Sequence, residues 1–117
     1  MNRQLNIVKD MVDYYGLNNR VKERCFTDPN TLAFFSFDTG DIEVCNSRIS
    51  NRDEFVVTAL HEVKHALQAR EMGLDEFARQ YNLEGDYILE QGGDDYSENP
   101  YEIEAERWAR IQFKNWI

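Results

Sequence analysis

The only two histidines of this 117-residue chain lie four positions apart, in the segment His61-Glu62-Val63-Lys64-His65. Residues i and i+4 of an α-helix project from the same face, so both imidazoles can bind one tetrahedral ion. A glutamate beside the first histidine can accept a proton from a water that such an ion activates. The segment therefore predicts a zinc site in which His61 and His65 are ligands and Glu62 is the general base.

The third ligand is expected to be a carboxylate from another element. Catalytic zinc takes three protein ligands and a water, yet the chain has no further histidine and its two cysteines are not spaced as a zinc pair. The candidates are Glu102, Glu104 and Glu106. On a helix, Glu102 and Glu106 share an arc with small and apolar residues, whereas Glu104 points away and is expected to be a solvated charge. Two carboxylates on an apolar face need a partner, which a metal ion would supply.

Local sequence leaves the choice between Glu102 and Glu106 open. The segment Asn99-Pro100-Tyr101-Glu102 is also a capping box, with Asn99 as the N-cap and Pro100 at the first helical position. In that interpretation, the Glu102 side chain bonds back to the backbone at the start of the helix and has no metal to bind.

The histidine motif is expected on a long helix, residues 53–72, which Asn51 or Asp53 caps and Gly73 ends. The histidines project from the side opposite to a continuous apolar face. That face holds Val56, Ala59, Leu60, Val63, Ala66 and Leu67. We therefore expect the helix to pack its apolar face into the core and to present the motif to a cleft.

The remaining patterns predict an α+β domain. Further helices are expected at residues 3–15, at 74–81 and from 99–100 almost to 117. Residues 32–37 and 42–45 are predicted strands, joined by a tight turn at 38–41 into an antiparallel hairpin, and a weaker strand pattern lies at 21–26. Glycines and acids at 84–96 indicate a loop. The prediction is one domain, residues 1–117, with a small antiparallel sheet packed against the active-site helix and a C-terminal glutamate helix.

The charge balance and the termini limit the partners and the compartment. With 22 acidic and 13 basic residues, the net charge is −9, which repels phosphate backbones, so no nucleic-acid ligand is expected. The N-terminus lacks the apolar core of a signal peptide and no run is long enough to span a membrane, so we expect a cytoplasmic protein without a membrane partner. Cys25 and Cys45 could pair geometrically, but in the cytosol they are expected to be reduced and buried.

Two segments resemble a known family of enzymes. Residues 57–68, Val-Thr-Ala-Leu-His-Glu-Val-Lys-His-Ala-Leu-Gln, resemble the active-site helix of zincin metallopeptidases. Residues 102–109, Glu-Ile-Glu-Ala-Glu-Arg-Trp-Ala, resemble the glutamate helix of the gluzincin branch. The pattern is similar to minimal ImmA/IrrE-type peptidase domains, in which E-x-x-A-[ND]-x-[FW]-A follows the first motif. The resemblance covers these two helices, about a third of the chain.

The resemblance implies one Zn²⁺ held by His61, His65 and Glu102, with Glu62 as the catalytic residue. It places Glu106 where the family has an Asp or Asn that supports a ligating histidine. Glu106 is one methylene longer than Asp, so it stays open as a ligand itself. The resemblance also implies an antiparallel edge strand along the cleft, where substrate binds as an added strand. Residues 42–45 are the candidate for that strand.

The function predicted from the sequence is that of a hydrolase, a zinc metallopeptidase that acts on a peptide or protein substrate. A different class remains open, a non-catalytic zinc-binding module with a regulatory or protein-interaction role on the same fold. A third interpretation is that the histidines are structural and bind no metal. The sequence leaves the oligomeric state undetermined.

Two accessory features stay open at the level of sequence. A peptidase needs a group that stabilises the oxyanion, and the tyrosines that could do so are Tyr81, Tyr87, Tyr96 and Tyr101. The acids of residues 90–95 could flank the cleft and favour basic peptides, or they could form a solvated loop.

Overall fold

The computed structural model describes residues 3–48 and 51–117, so residues 1–2 and 49–50 of the predicted domain lie outside its described part. The four helices are α1 (Arg3–Tyr14), α2 (Arg52–Met72), α3 (Leu74–Glu90) and α4 (Pro100–Gln112). The three strands are β1 (Val21–Glu23), β2 (Ala33–Phe35) and β3 (Ile42–Val44). Short 3₁₀ turns occupy Asn46–Arg48 and Phe113–Asn115. The predicted α+β class is confirmed.

The sheet is mixed, with β3 in the middle of the order β1-β3-β2. β2 and β3 pair antiparallel, with Phe35 opposite Ile42, which confirms the predicted hairpin. β1 pairs with β3 in parallel, so the sheet is not wholly antiparallel as predicted. Every residue of β3 is buried, as expected for a central strand. The prediction that residues 42–45 form an edge strand is therefore wrong, because the weak pattern at 21–26 forms a real strand on the far side.

α2 packs the apolar face that its sequence predicts. The Asn51 side chain accepts a hydrogen bond from the Glu54 backbone N–H and caps the helix. Gly73 ends it with a φ of 88°, which suits glycine best. On the predicted face only Leu67 is partly exposed, while the other members are buried in the core, namely Val56, Ala59, Leu60, Val63 and Ala66. This packing turns the opposite face, with both histidines, toward α4.

α3 is longer than predicted, because it continues from Leu74 to Glu90. The predicted loop is wrong over residues 84–90. Phe77, Tyr81 and Gly85 follow one another at helical spacing, and Phe77 and Gly85 are buried. The packing of this face outweighs the helix-breaking tendency of the glycine, which costs about 1 kcal/mol relative to alanine.

Cys25 and Cys45 form a disulfide, so the prediction of two reduced, buried thiols is wrong. Cys25 follows β1 and Cys45 follows β3, and the parallel pairing of these strands brings the two Cα atoms to 4.5 Å. Cys45 is buried, whereas Cys25 is exposed. Because disulfides persist mainly in oxidising compartments, the cysteines do not support the cytoplasmic location, which stays a prediction.

Within residues 3–48 and 51–117, none of the helices has both the length and the apolar character that crossing a bilayer requires.

Candidate metal centre

The candidate site lies between α2 and α4. His61 and His65 are one turn apart on α2, and their ring centroids are 4.9 Å from each other. Ala105 and Ala109 on α4 are fully buried, so their small side chains let α4 approach α2 closely. Glu102, in the first turn of α4, thereby reaches the histidine face.

Three buried side chains converge on one point. The Nε2 atoms of His61 and His65 lie 2.7 and 2.9 Å from the same oxygen, Oε1 of Glu102. The three residues are only 8%, 5% and 7% exposed. One ligand atom from each lies within 4.8 Å of the others. His61, His65 and Glu102 therefore form a buried group that could hold a metal ion.

The sequence leaves two roles open for Glu102, as part of the cap of α4 or beside the histidines. The directions of the side chains distinguish these two roles. Asn99 caps α4, because its Oδ1 accepts from the Tyr101 N–H at 3.0 Å. The carboxylate of Glu102 faces the histidines, and Tyr81 donates its hydroxyl hydrogen to the second oxygen, Oε2. The alternative in which the Glu102 side chain bonds back to the helix start is therefore not observed, and Oε1 faces the imidazoles.

Glu106 lies behind His61 rather than beside Glu102. Its Oε1 accepts from Nδ1 of His61 at 3.0 Å, and its Oε2 pairs with Arg110 at 2.6 Å. This is the location that the resemblance implies for the acid that supports a histidine. The extra methylene of glutamate lets one carboxylate reach both the histidine on α2 and an arginine one turn along α4.

Gln68 is a residue of the site that was not predicted from the sequence. Its Nε2 donates to the Tyr101 carbonyl at 3.1 Å and to Glu104 at 2.8 Å, so its Oε1 is the atom that accepts from His65 Nδ1 at 2.7 Å. Glu104 is exposed as predicted, but it also orients this amide. A clue was available in the sequence, since Gln68 is at i+3 from His65 and shares its helix face.

The electrostatics of the site couple His61 to Glu102. Burial alone would lower the pKa of His61, but hydrogen bonds to Glu102 and Glu106 and the charges of nearby acids outweigh burial and raise the pKa to about 9. Burial would raise the pKa of Glu102, but bonds from both histidines and from Tyr81 lower it to about 2. Both shifts favour a protonated His61 beside an ionised Glu102.

Glu62 borders the same cavity from α2. It is 7% exposed, and burial raises its pKa, while the two histidines act in the opposite direction. A carboxylate with a raised pKa is a stronger base than an ordinary one. The structure thus brings the predicted base, both predicted histidines and the predicted carboxylate to one place.

The group opens into a cavity of about 1090 Å³. Tyr81 and Tyr96 line it, whereas Tyr87 is exposed on α3 and Tyr101 supplies its carbonyl to Gln68. Burial, followed by the negative charges of the site glutamates, raises the pKa of Tyr96. Within the described residues, the acids at positions 90, 94 and 95 are exposed and do not line this cavity.

The strand that flanks the cavity is β2. Residues 30–35 line one wall, and β2 is an edge strand of the sheet. The predicted cleft-side strand, residues 42–45, is separated from the cavity by β2. An extended edge strand therefore lies beside the cleft, but it is β2 and not residues 42–45.

No protein-family model, curated protein or solved structure significantly matches this chain.

Proposed function

We propose that this chain is a zinc-dependent metallopeptidase in which His61, His65 and Glu102 hold Zn²⁺ and Glu62 is the general base. The observation that carries the proposal is the convergence of two imidazole Nε2 atoms on a single carboxylate oxygen, beside a second buried carboxylate. Two histidines and one glutamate form a common ligand set of catalytic zinc, which leaves a position for water.

The dimensions of the group fit zinc. Bonds of about 2.0 Å place neighbouring ligands of a tetrahedral ion about 3.3 Å apart. The observed distances of 2.7 and 2.9 Å are those of hydrogen bonds, so a small withdrawal of the Glu102 carboxylate makes room for an ion. The outer nitrogen of each imidazole donates to Glu106 or to Gln68. Such partners orient the inner lone pairs toward a metal.

The proposed chemistry is hydrolysis of a peptide bond. Bound zinc would lower the pKa of a water and polarise the scissile carbonyl. Glu62 would accept a proton from the attacking water and return it to the leaving amine. Tyr96, whose side chain lines the cavity, is the candidate that stabilises the oxyanion, because the Tyr81 hydroxyl is already committed to Glu102.

The position of β2 supports a peptide as the substrate. An edge strand has backbone N–H and C=O groups available for pairing, and an extended peptide can join it as a further strand. Because residues 30–35 line the cavity, such a peptide would run past the proposed zinc site.

The experiment compares Glu62→Gln with the wild-type protein in zinc content and in cleavage of a peptide library. We expect one zinc per chain in both and a loss of cleavage of at least about 100-fold in the variant, since a general base contributes about 100- to 10,000-fold. Glu71→Gln is the matched control, because Glu71 is exposed near the end of α2 and does not line the cavity among the described residues.

Equal cleavage by the wild type and Glu62→Gln would contradict the mechanism. Zinc retained after His65→Ala would contradict the site. Zinc bound at one equivalent without turnover of any peptide would favour the non-catalytic zinc-binding module.

A further inference from the structure

A ridge of α4 forms one wall of the cavity and carries positive charge. Ile103, Arg107 and Arg110 follow each other at helical spacing and all line the cavity. The opposite wall, residues 30–35, has no charged side chain. Arg107 and Arg110 share this side of the cavity with Glu102 and Glu106, so α4 contributes two positive and two negative charges to the lining.

The two arginines differ in their partners. Arg110 forms an ion pair with Glu106 at 2.6 Å, so its charge is balanced within the site. For Arg107, no ion pair to a carboxylate is found in the part of the chain that the structure describes. Arg107 is exposed, which leaves its guanidinium accessible to a ligand in the cavity.

The three glutamates that line the cavity already have partners or a proposed role, and Glu62 is the one assigned to the attacking water. Glu102 faces the histidines, and Glu106 is shared between His61 and Arg110. A carboxylate brought by a ligand is therefore the missing partner of Arg107. Guanidinium groups bind carboxylates through two parallel hydrogen bonds, which gives directional recognition.

We infer that Arg107 is a specificity-determining residue that binds a carboxylate of the peptide substrate. The inference rests on the proposed function in that the cavity ligand is a peptide. Arg107 is five residues beyond Glu102 on α4, about 7.5 Å along the helix axis. The recognised carboxylate is therefore expected to bind at a distance from the proposed zinc site. It belongs to an acidic side chain or to the C-terminus of the substrate.

Lys114 provides a matched control for this assignment. It follows Arg107 by seven positions, lies in the 3₁₀ turn after α4, and is exposed. Lys114 does not line the cavity among the described residues. Arg107→Glu and Lys114→Glu therefore change the net charge equally, but only the first places the change in the cleft.

The test measures peptide binding, so that its result does not depend on turnover. Zinc-loaded Glu62→Gln protein, alone and combined with each charge reversal, is titrated into fluorescein-labelled, alanine-rich hexapeptides, and fluorescence anisotropy is recorded at about 0.15 M salt. One series is C-terminally amidated and carries Asp, Asn or Lys at each position in turn. A second, acid-free series compares a free with an amidated C-terminus.

We expect a carboxylate to tighten binding about three- to tenfold at one position or at the C-terminus, as an ion pair in a partly shielded cleft does. Arg107→Glu should abolish this gain and favour Lys, while Lys114→Glu should preserve it. A gain in the Asp series identifies a side-chain carboxylate, and a gain in the second series identifies the C-terminal one.

The inference is overturned if neither series shows a gain, or if both charge reversals reduce the gain equally. Cleavage by the wild type without any preference for carboxylates would leave the proposed peptidase intact and reject the role of Arg107. A preference for carboxylates without any cleavage would support the role of Arg107 and reject the proposed peptidase.

Discussion

The molecule has two places where buried acids meet positive partners, and they are built differently. In the sheet, Asp41 and Glu43 are buried acids. Arg24 reaches Glu43 at 3.1 Å, and its side chain is 59% exposed. In the site, Glu102 meets the imidazoles of His61 and His65, which are buried themselves.

The difference separates a structural acid from a candidate ligand. The cations of the sheet keep most of their hydration and form ordinary surface ion pairs, which contribute about 0–1 kcal/mol each. The buried imidazoles of His61 and His65 have lost their hydration. The Nδ1 atom of each forms a hydrogen bond to another side chain. A buried carboxylate surrounded by oriented imidazoles is suited to binding a metal ion. A carboxylate that faces exposed arginine and lysine is already neutralised by them.

The largest expected effect is on metal affinity. Glu102→Gln should weaken zinc binding by more than about 100-fold, because losing a ligand costs more than losing a partner behind a ligand. Glu43→Gln makes the same chemical change at a buried acid of the sheet and should leave the zinc affinity unchanged. Isothermal titration calorimetry measures the zinc affinity of both variants. Equal affinities would contradict the distinction between the acid of the site and the acid of the sheet.

The next effect is the pH dependence of stability in the metal-free protein. The pKa of His61 is raised to about 9 from 6.5. The contribution of protonated His61 to the free energy of unfolding is therefore complete below about pH 6.5 and is lost as the pH rises through about 9. The free energy of unfolding should fall by about 2–3 kcal/mol across this range.

Urea unfolding at a series of pH values checks this prediction. His61→Gln should lack the decline, whereas Glu43→Gln should keep it. A decline of the same size in His61→Gln would show that the titrating group is elsewhere.

A smaller effect is expected from the amide behind His65. Gln68→Leu removes the acceptor for Nδ1 of His65 but leaves the three ligands in place. Zinc affinity should fall by about 10- to 100-fold, as it does when such orienting partners are lost. Competition with a zinc chelator measures the change, and Gln80→Leu, a change on α3 outside the site, is the control.

The smallest effect is expected in the sheet. Glu43→Gln should lower the free energy of unfolding by less than about 1 kcal/mol, because its partner Arg24 is largely hydrated. Thermal or urea unfolding measures this change. A loss of several kcal/mol would mean that the sheet acid is held as tightly as the acid of the site.

The part of the site on α2 could be predicted because it is local. The spacing of His61 and His65 and the apolar back of the helix follow from the periodicity of one segment. The part on α4 could be narrowed only to two glutamates, because a capping role and a ligand role satisfy the same local sequence at Glu102. Only the packing of α4 against α2 separates them.

The errors share one physical cause, which is contact between segments distant in sequence. The central position of β3 and the pairing of Cys25 with Cys45 both depend on the parallel alignment with β1. A three-residue strand has too weak a pattern to reveal that alignment. Similarly, α3 continues through Gly85 because its buried face is stabilised by tertiary packing.

With the proposed metal bound, the separation of its ligands along the chain would link metal supply to protein stability. Glu102 is 41 residues from His61 and 37 from His65, so an unfolded chain brings at most the two histidines together. An ion that needs all three ligands binds the folded state alone. Each tenfold rise in free metal above the dissociation constant then adds about 1.4 kcal/mol to the free energy of unfolding. In a metal-poor cell the same chain would unfold more often and be degraded sooner, so its abundance would follow the free metal concentration.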